Sequence, residues 1–203
     1  MRLHTKDGIV FQTAENSFQI QEAKKLRHDV YLEMGYITQP FFDGIIPDER
    51  DEHSTYIVAL MGGQELVGAV RSYPGPSFET LEVWKENFFP NPEISELIEE
   101  VCKRKSVEIG ALAVKKTARG RRISWGLYKA LYLLFLMEKV NYCIAAIDLR
   151  AFKLLQWLGW SIIEIGPAKY FMGSLTVPIV MPMKEHLLSI YQKNPTYYEY
   201  LVG

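Results

Sequence analysis

Two cysteines in 203 residues, Cys102 and Cys143, are too few for a disulfide scaffold, and neither stands in a C-x-x-C spacing. They fit a reduced chain, and a cytoplasmic location is the expectation. The four histidines, His4, His28, His53 and His186, are too scattered for a metal-ligand motif, so no metal is expected. Long hydrophobic runs are missing as well. The most apolar stretch, 127–137, is broken by Tyr128, Lys129 and Tyr132, and it is too short to span a bilayer. Residues 1–14 hold no apolar core of a secretory signal. Neither sign of charge dominates. The net charge is -1, so no global field steers the chain to nucleic acid or to an anionic membrane. What remains is an ordinary globular composition, 48% hydrophobic and 23% charged, read as one domain over 1–203.

Apolar residues at Ile20, Ala23, Leu26, Val30 and Tyr31 recur at helical spacing over 20–32. Strands are expected at 8–13, 56–60, 65–73, 107–114, 143–148, 161–165 and 177–183, with Gly62-Gly63 as a hairpin turn. Helices are expected at 81–88, 94–101, 124–140, 151–158 and 184–192, with Ser124 as an N-cap and Gly159 just past a helix end. Residues 34–53, rich in Gly, Pro and Asp, read as a long structured loop. Pro178 argues that its strand starts there or lies at an edge. The aromatic tail 197–200 is expected to dock on the body. The element order is that of an α/β fold with a mixed sheet.

The stretch 107–127 joins an apolar strand ending at Val114 to a long helix through a basic turn. Lys115, Lys116, Arg119, Arg121 and Arg122 put five positives in eight residues. A turn of this kind before a helix N-terminus makes a phosphate cradle, because first-turn N–H groups and the helix dipole favour an anion. A solvated turn is the alternative. Val114, Arg119, Gly120 and Ile123 fit the fingerprint Val-x-x-x-x-[Arg/Gln]-Gly-x-Gly-[Ile/Leu]-[Gly/Ala] of the GCN5-related acetyltransferase (GNAT) superfamily. Arg122 and Ser124 stand where small residues belong. The chain thus resembles that superfamily from about residue 8 to 183. The resemblance implies a GNAT-like α/β fold, a central mixed sheet flanked by helices.

A second series is narrower: Leu26-Arg27, Tyr31, Tyr36, Asp48, Asp51, Gly68-x-x-Arg71 and Glu108. It resembles the acyl-homoserine lactone (autoinducer) synthase pattern. Gly166-Pro167, Tyr170-x-x-Gly173 and Pro178 resemble the sister group of N-acyl amino acid synthases, N-acyl tyrosine synthases included. Lactone synthases carry an Arg three residues after the strand Glu, where this chain has Ala111, and a Trp where it has Tyr36. Both departures favour the amino acid synthase side over S-adenosylmethionine as substrate.

The resemblance implies site residues. Arg27, Asp48, Asp51 and Arg71 form a charge network over a mobile N-terminal lid; unrelated surface charges are the alternative. Glu108, flanked by Val107 and Ile109, is the general-base candidate, because an attacking ammonium must first lose a proton. A glutamate on the solvated face of a strand is the competing reading. Tyr170 either protonates the leaving thiolate or is an ordinary half-buried aromatic. Asp148 fits a helix cap better than a site. Leu112, Val114, Arg119, Gly120, Arg121, Arg122 and Ser124 are the thioester and phosphopantetheine residues. Trp84, Phe88, Phe89, Trp125, Trp157, Trp160 and Phe171 can line an acyl tunnel, although plain core packing explains any one of them.

The expectation is an acyltransferase moving a medium or long acyl group, not an aminoacyl group, from acyl carrier protein to a small amine such as that of an amino acid. Acyl-carrier protein or acyl-coenzyme A is the co-substrate, and no tightly bound cofactor is expected. Without a small residue at Arg122 the turn wraps a pyrophosphate less closely, which favours the single phosphate of a carrier. The alternatives are an autoinducer synthase, an acetyl-coenzyme A-dependent small-molecule acetyltransferase, and an inactive acyl-thioester binding protein.

Overall fold

The computed structural model describes residues 1–5, 7–88 and 91–203; Phe89 lies outside the described residues. The chain divides into two compact units, each drawn from two separate segments.

The first unit comprises Met1–Tyr73 and Ile109–Met137. β1 (Arg2–His4), β2 (Ile9–Thr13), β3 (Thr55–Met61) and β4 (Glu65–Pro74) run antiparallel in chain order. The β3–β4 turn uses Gly62 and Gly63 at φ 58° and 77°. A two-residue turn with both positions left-handed matches the strand twist, and only glycine takes it without strain. The period of two along β3 then sorts its faces. Tyr56, Val58 and Leu60 pack with Val10, Ala23 and Ala69 under α1 (Ser17–Glu33). α4 (Ile123–Met137) packs against β2 and β3 and approaches so closely that a Cβ on Gly126 would stand 2.0 Å from the Phe11 ring.

The second unit comprises Pro74–Glu108 and Glu138–Gly203. β5 (Ser106–Val114) begins here and pairs in parallel with β6 (Tyr142–Asp148) over Ser106–Glu108. β6 pairs antiparallel with β9 (Ser174–Pro182), which also pairs β7 (Ile163–Glu164) and β8 (Lys169–Phe171). The helices are α2 (Glu79–Trp84), α3 (Pro92–Lys103), α5 (Leu149–Leu158), α6 (His186–Lys193) and α7 (Pro195–Val202). Asp148 caps α5, accepting from the N–H groups of Arg150 and Ala151, and Gly159 ends it at φ 92°. The tail docks as expected, with Tyr197 fully buried.

Three expectations change. α4 starts at Ile123, so Ser124 lies inside the first turn and is not its cap. Pro178 is not at an edge, since β9 has partners on both sides. Its carbonyl accepts from the Ile165 N–H, so its missing N–H faces the same side, between the β7 and β8 pairings, where no ladder bond is broken. The short strands β1 and β8 were not foreseen. Among the described residues, no helix is long and apolar enough to cross a membrane.

Candidate active site

The first unit gathers four of the charged residues that the sequence singles out. Arg27 comes from the buried side of α1, Arg71 from β4, and Asp48 and Asp51 from the 3-10 turn Glu49–His53 and its cap. Arg27 donates to both Asp51 oxygens at 3.2 and 3.1 Å, and to the Ile46 carbonyl at 2.7 Å. Arg71 pairs with Asp51 and lies 2.5 Å from Asp48. Two further members were missed. The Tyr56 hydroxyl donates to Asp51 at 2.6 Å, and the Lys24 ammonium lies 3.3 Å from it. Lys24 stands one helical turn before Arg27, and that spacing was the available signal.

With Arg50 3.7 Å from Asp48, four cations thus surround two carboxylates in a largely buried setting, where each ion needs partners to offset its lost hydration. Burial alone would raise the Asp51 carboxyl, but the Tyr56 hydroxyl, Arg27 and Arg71 outweigh it and hold it below the usual Asp range. Burial and the Asp51 charge push the Tyr56 phenol up. On the same helix, His28 Nε2 accepts from the Phe41 N–H at 3.1 Å, and its Nδ1 lies 2.9 Å from Asp29. With the Arg27–Ile46 bond, this fastens the loop 34–48 to α1. Tyr31 and Tyr36 meet edge to face at 5.3 Å.

The basic turn is in the same unit. β5 ends at Val114, which is buried, with Leu112 half-buried. A 3-10 turn (Lys116–Ala118) follows, then Gly120 at φ 85° and Arg122 at φ 56°. Arg122 therefore adopts the left-handed conformation that the fingerprint's glycine would supply, with its guanidinium 5.2 Å from the Trp125 ring centre. The Gly126 N–H bonds back to the Arg122 carbonyl, so the N–H groups of residues 123–125 open the helix. Arg119 forms a two-pronged pair with Glu33, a partner the sequence reading missed. Ala111 is also left-handed, at φ 53°, within β5.

Glu108 belongs to the second unit and is 3% exposed. Thr80 holds it, with its hydroxyl at 2.6 Å and its N–H at 3.1 Å from Oε1. Thr80 is 28 residues away in sequence, and nothing local announced it. Tyr170, on β8, is 79% exposed. Among the other aromatics, Trp84 is fully buried, 5.6 Å edge to face from Phe171, whereas Trp157 is 62% exposed. Among the described residues, no group of three His, Cys, Asp or Glu could hold a metal ion.

The mixed sheet, the helices on it and the strand–basic turn–helix arrangement define a GNAT-like fold. Within that class, the chain belongs to the FeeM N-acyl amino acid synthase family, whose profile matches residues 22–180. The structure of FeeM, an N-acyl amino acid synthase from uncultured soil microbes, superposes with a TM-score of 0.71 at 14% identity, covering 93% of this chain and 98% of that one. The acyl-homoserine lactone synthase LasI gives 0.69 at 18%, covering 91% and 95%. BjaI, a coenzyme A-dependent acyl-homoserine lactone synthase solved with SAM and isopentyl-CoA, gives 0.65 at 19%, covering 94% and 87%. At these identities the structural likeness speaks for the fold. No curated protein matches the chain in sequence.

Proposed function

We propose that this acyltransferase moves a medium or long fatty acyl group from acyl carrier protein to the α-amine of an amino acid or a similar small amine. Family membership supports the reaction class. The observation that carries the donor is Arg122, a side-chain-bearing residue in the left-handed position that opens α4. A side chain there narrows the backbone approach that a pyrophosphate needs, while guanidinium groups and the first-turn N–H groups can hold one phosphodiester.

Leu112 and Val114 lie along the thioester's pantetheine arm, and the N–H groups of β5 bond its amides and polarise the acyl carbonyl. Gly120, Arg121, Arg122 and Ser124 form the phosphate end, beside Arg119, whose guanidinium is paired with Glu33. Glu108 takes the proton from the acceptor's ammonium, and the amine then attacks the thioester carbon directly. The Thr80 bonds support this role by holding the Glu108 carboxylate in a set orientation. The tetrahedral intermediate sheds its second N–H proton as the C–S bond breaks and it collapses to the amide, and the expelled pantetheine thiolate takes up a proton in balance. The charge network of Arg27, Asp48, Asp51 and Arg71 orders the loop 34–48 against α1. Tyr170, exposed as it is, supplies a thiolate proton only if substrate covers it.

Mass spectrometry of lipid extracts tests the reading, comparing cells that express the chain with cells that express Glu108→Gln. A new N-acyl amino acid in the parent, lost in the variant, is the expected result. An N-acyl homoserine lactone would move the chain to the autoinducer synthases. Purified protein that acetylates amines only from acetyl-coenzyme A, or that binds thioesters without turnover, would refute the proposal.

A further inference from the structure

The basic turn is less positive in the structure than in the sequence. Of its five cations, Arg119, Lys116 and Lys115 are already matched within the same unit. Arg119 places its two terminal nitrogens on the Glu33 carboxylate oxygens at 2.8 and 2.9 Å, while its Nε donates to the Val114 carbonyl at 3.3 Å. Lys116 lies 3.8 Å from the same carboxylate. Lys115 bonds Glu65 at 2.6 Å. Arg121 and Arg122 have softer neighbours, the Met61 sulfur at 3.4 Å and the Trp125 ring. A fork on two oxygens is the geometry in which a guanidinium takes a phosphate. Glu33, the last residue of α1, occupies that fork.

We propose that Glu33 is a charge filter on the thioester donor. It leaves Arg121 and Arg122 to take a single phosphodiester and disfavours donors that bring more phosphate. The proposal rests on the reading of this turn as the donor's phosphate site. A carrier-bound phosphopantetheine brings one ionised phosphodiester. Coenzyme A carries a pyrophosphate in place of that phosphodiester and a 3′-phosphomonoester besides, and this extra negative charge either meets the Glu33 carboxylate or must displace it from Arg119. The Arg119 hydrogen bonds hold the Glu33 carboxyl below its ordinary range, so it is ionised at neutral pH. The pair is solvent-exposed, with side chains 38% and 32% accessible. Its effect is therefore modest and screened by salt, which suits a device that sorts ligands without supporting the fold.

The experiment compares Glu33→Gln with the parent on two donors carrying the same acyl chain, acyl-phosphopantetheine capped as its methyl phosphodiester and acyl-coenzyme A. The preference, as a ratio of kcat/KM values, should fall roughly fivefold in the variant at low ionic strength. Near 1 M salt, where charges are screened within about 3 Å, the two proteins should converge. Glu33→Lys should move the ratio further in the same direction. Calorimetric binding of the methyl-capped phosphopantetheine and coenzyme A reads the same ratio where turnover is slow. A ratio unchanged within about twofold, or a change that salt does not erase, overturns the filter. Arg121→Ala and Arg122→Ala separate the two layers. If they weaken phosphate-bearing donors while Glu33→Gln is silent, the filter alone fails. If they leave both donors unaffected, the phosphate site itself is misplaced.

Discussion

Replacing Asp51 by asparagine keeps the size of the side chain and removes one buried charge. Its carboxylate, 4% exposed, accepts from Arg27 twice, from Tyr56 at 2.6 Å and from Arg71, with Lys24 at 3.3 Å. The variant leaves Arg27, Arg71, Lys24 and Arg50 with one remaining carboxylate, Asp48. Breaking a buried ion pair from one side costs about 3–5 kcal/mol, because the partners keep their desolvation cost and lose its compensation. At about 2–4 °C per kcal/mol for a chain of this length, the melting midpoint should drop by roughly 10 °C. Asp48→Asn is the internal control. Asp48 lies 2.5 Å from Arg71, but it is 16% exposed, reaches Arg27 only at 3.8 Å and lacks the Tyr56 hydrogen bond, and asparagine can still accept from Arg71 and cap the Arg50 N–H. Its loss should be clearly smaller. The folded-state pKa of Asp51 is depressed, so its contribution is fully present above the ordinary Asp value. That contribution is lost as pH falls through the lower folded value. Urea melts at pH 7 and in acid, on both variants and the parent, check all three statements. A loss below about 1 kcal/mol for Asp51→Asn, or an equal loss for Asp48→Asn, would refute the reading of Asp51 as the centre of the network.

His186 is fully buried, and burial pushes its imidazole down to about 4 from an ordinary 6.5. The unfolded chain then binds more protons between these values. Stability present above pH 6.5 should fall by about 3 kcal/mol on going to pH 4, a slope that denaturant midpoints would show reduced in a His186→Gln variant. Gly126→Ala should destabilise by about 2 kcal/mol in thermal melts despite alanine's better helix propensity, because the new Cβ would meet the buried Phe11 ring at 2.0 Å. Thr80→Val removes the 2.6 Å hydroxyl donor to the Glu108 carboxylate and should cost about 1–3 kcal/mol, read as a lowered denaturant midpoint.

What could be read along the chain was local. Asp148 as a cap, Gly159 as a helix end and Gly62-Gly63 as a hairpin each depend on a few neighbouring φ/ψ values, and the structure shows all three. The strand ending at Val114 and the helix after the basic turn were legible from periodicity alone. The three-residue strands β1 and β8 were not, because so short a run carries no period. Pro178 misled for a related reason: whether a strand can spare one N–H depends on what lies beside that residue, and the neighbours of β9 come from three separate parts of the chain.

The sequence by itself determined the longer elements and their order, though not β1, β8 or α7, together with the excess of cations between Val114 and Ile123 and the candidates Arg27, Asp48, Asp51 and Arg71. Only the tertiary structure decided which charges are matched. It brought Tyr56 and Lys24 to Asp51, Thr80 to Glu108, and Glu33 to Arg119 across 86 residues. It also seated Arg122 in a glycine's conformation. The physical reason is range. Caps, turns and periodicity are written in the bonds of adjacent residues, whereas the partner of a charge is set by how strands and helices stack, and that leaves no spacing in the chain to be read.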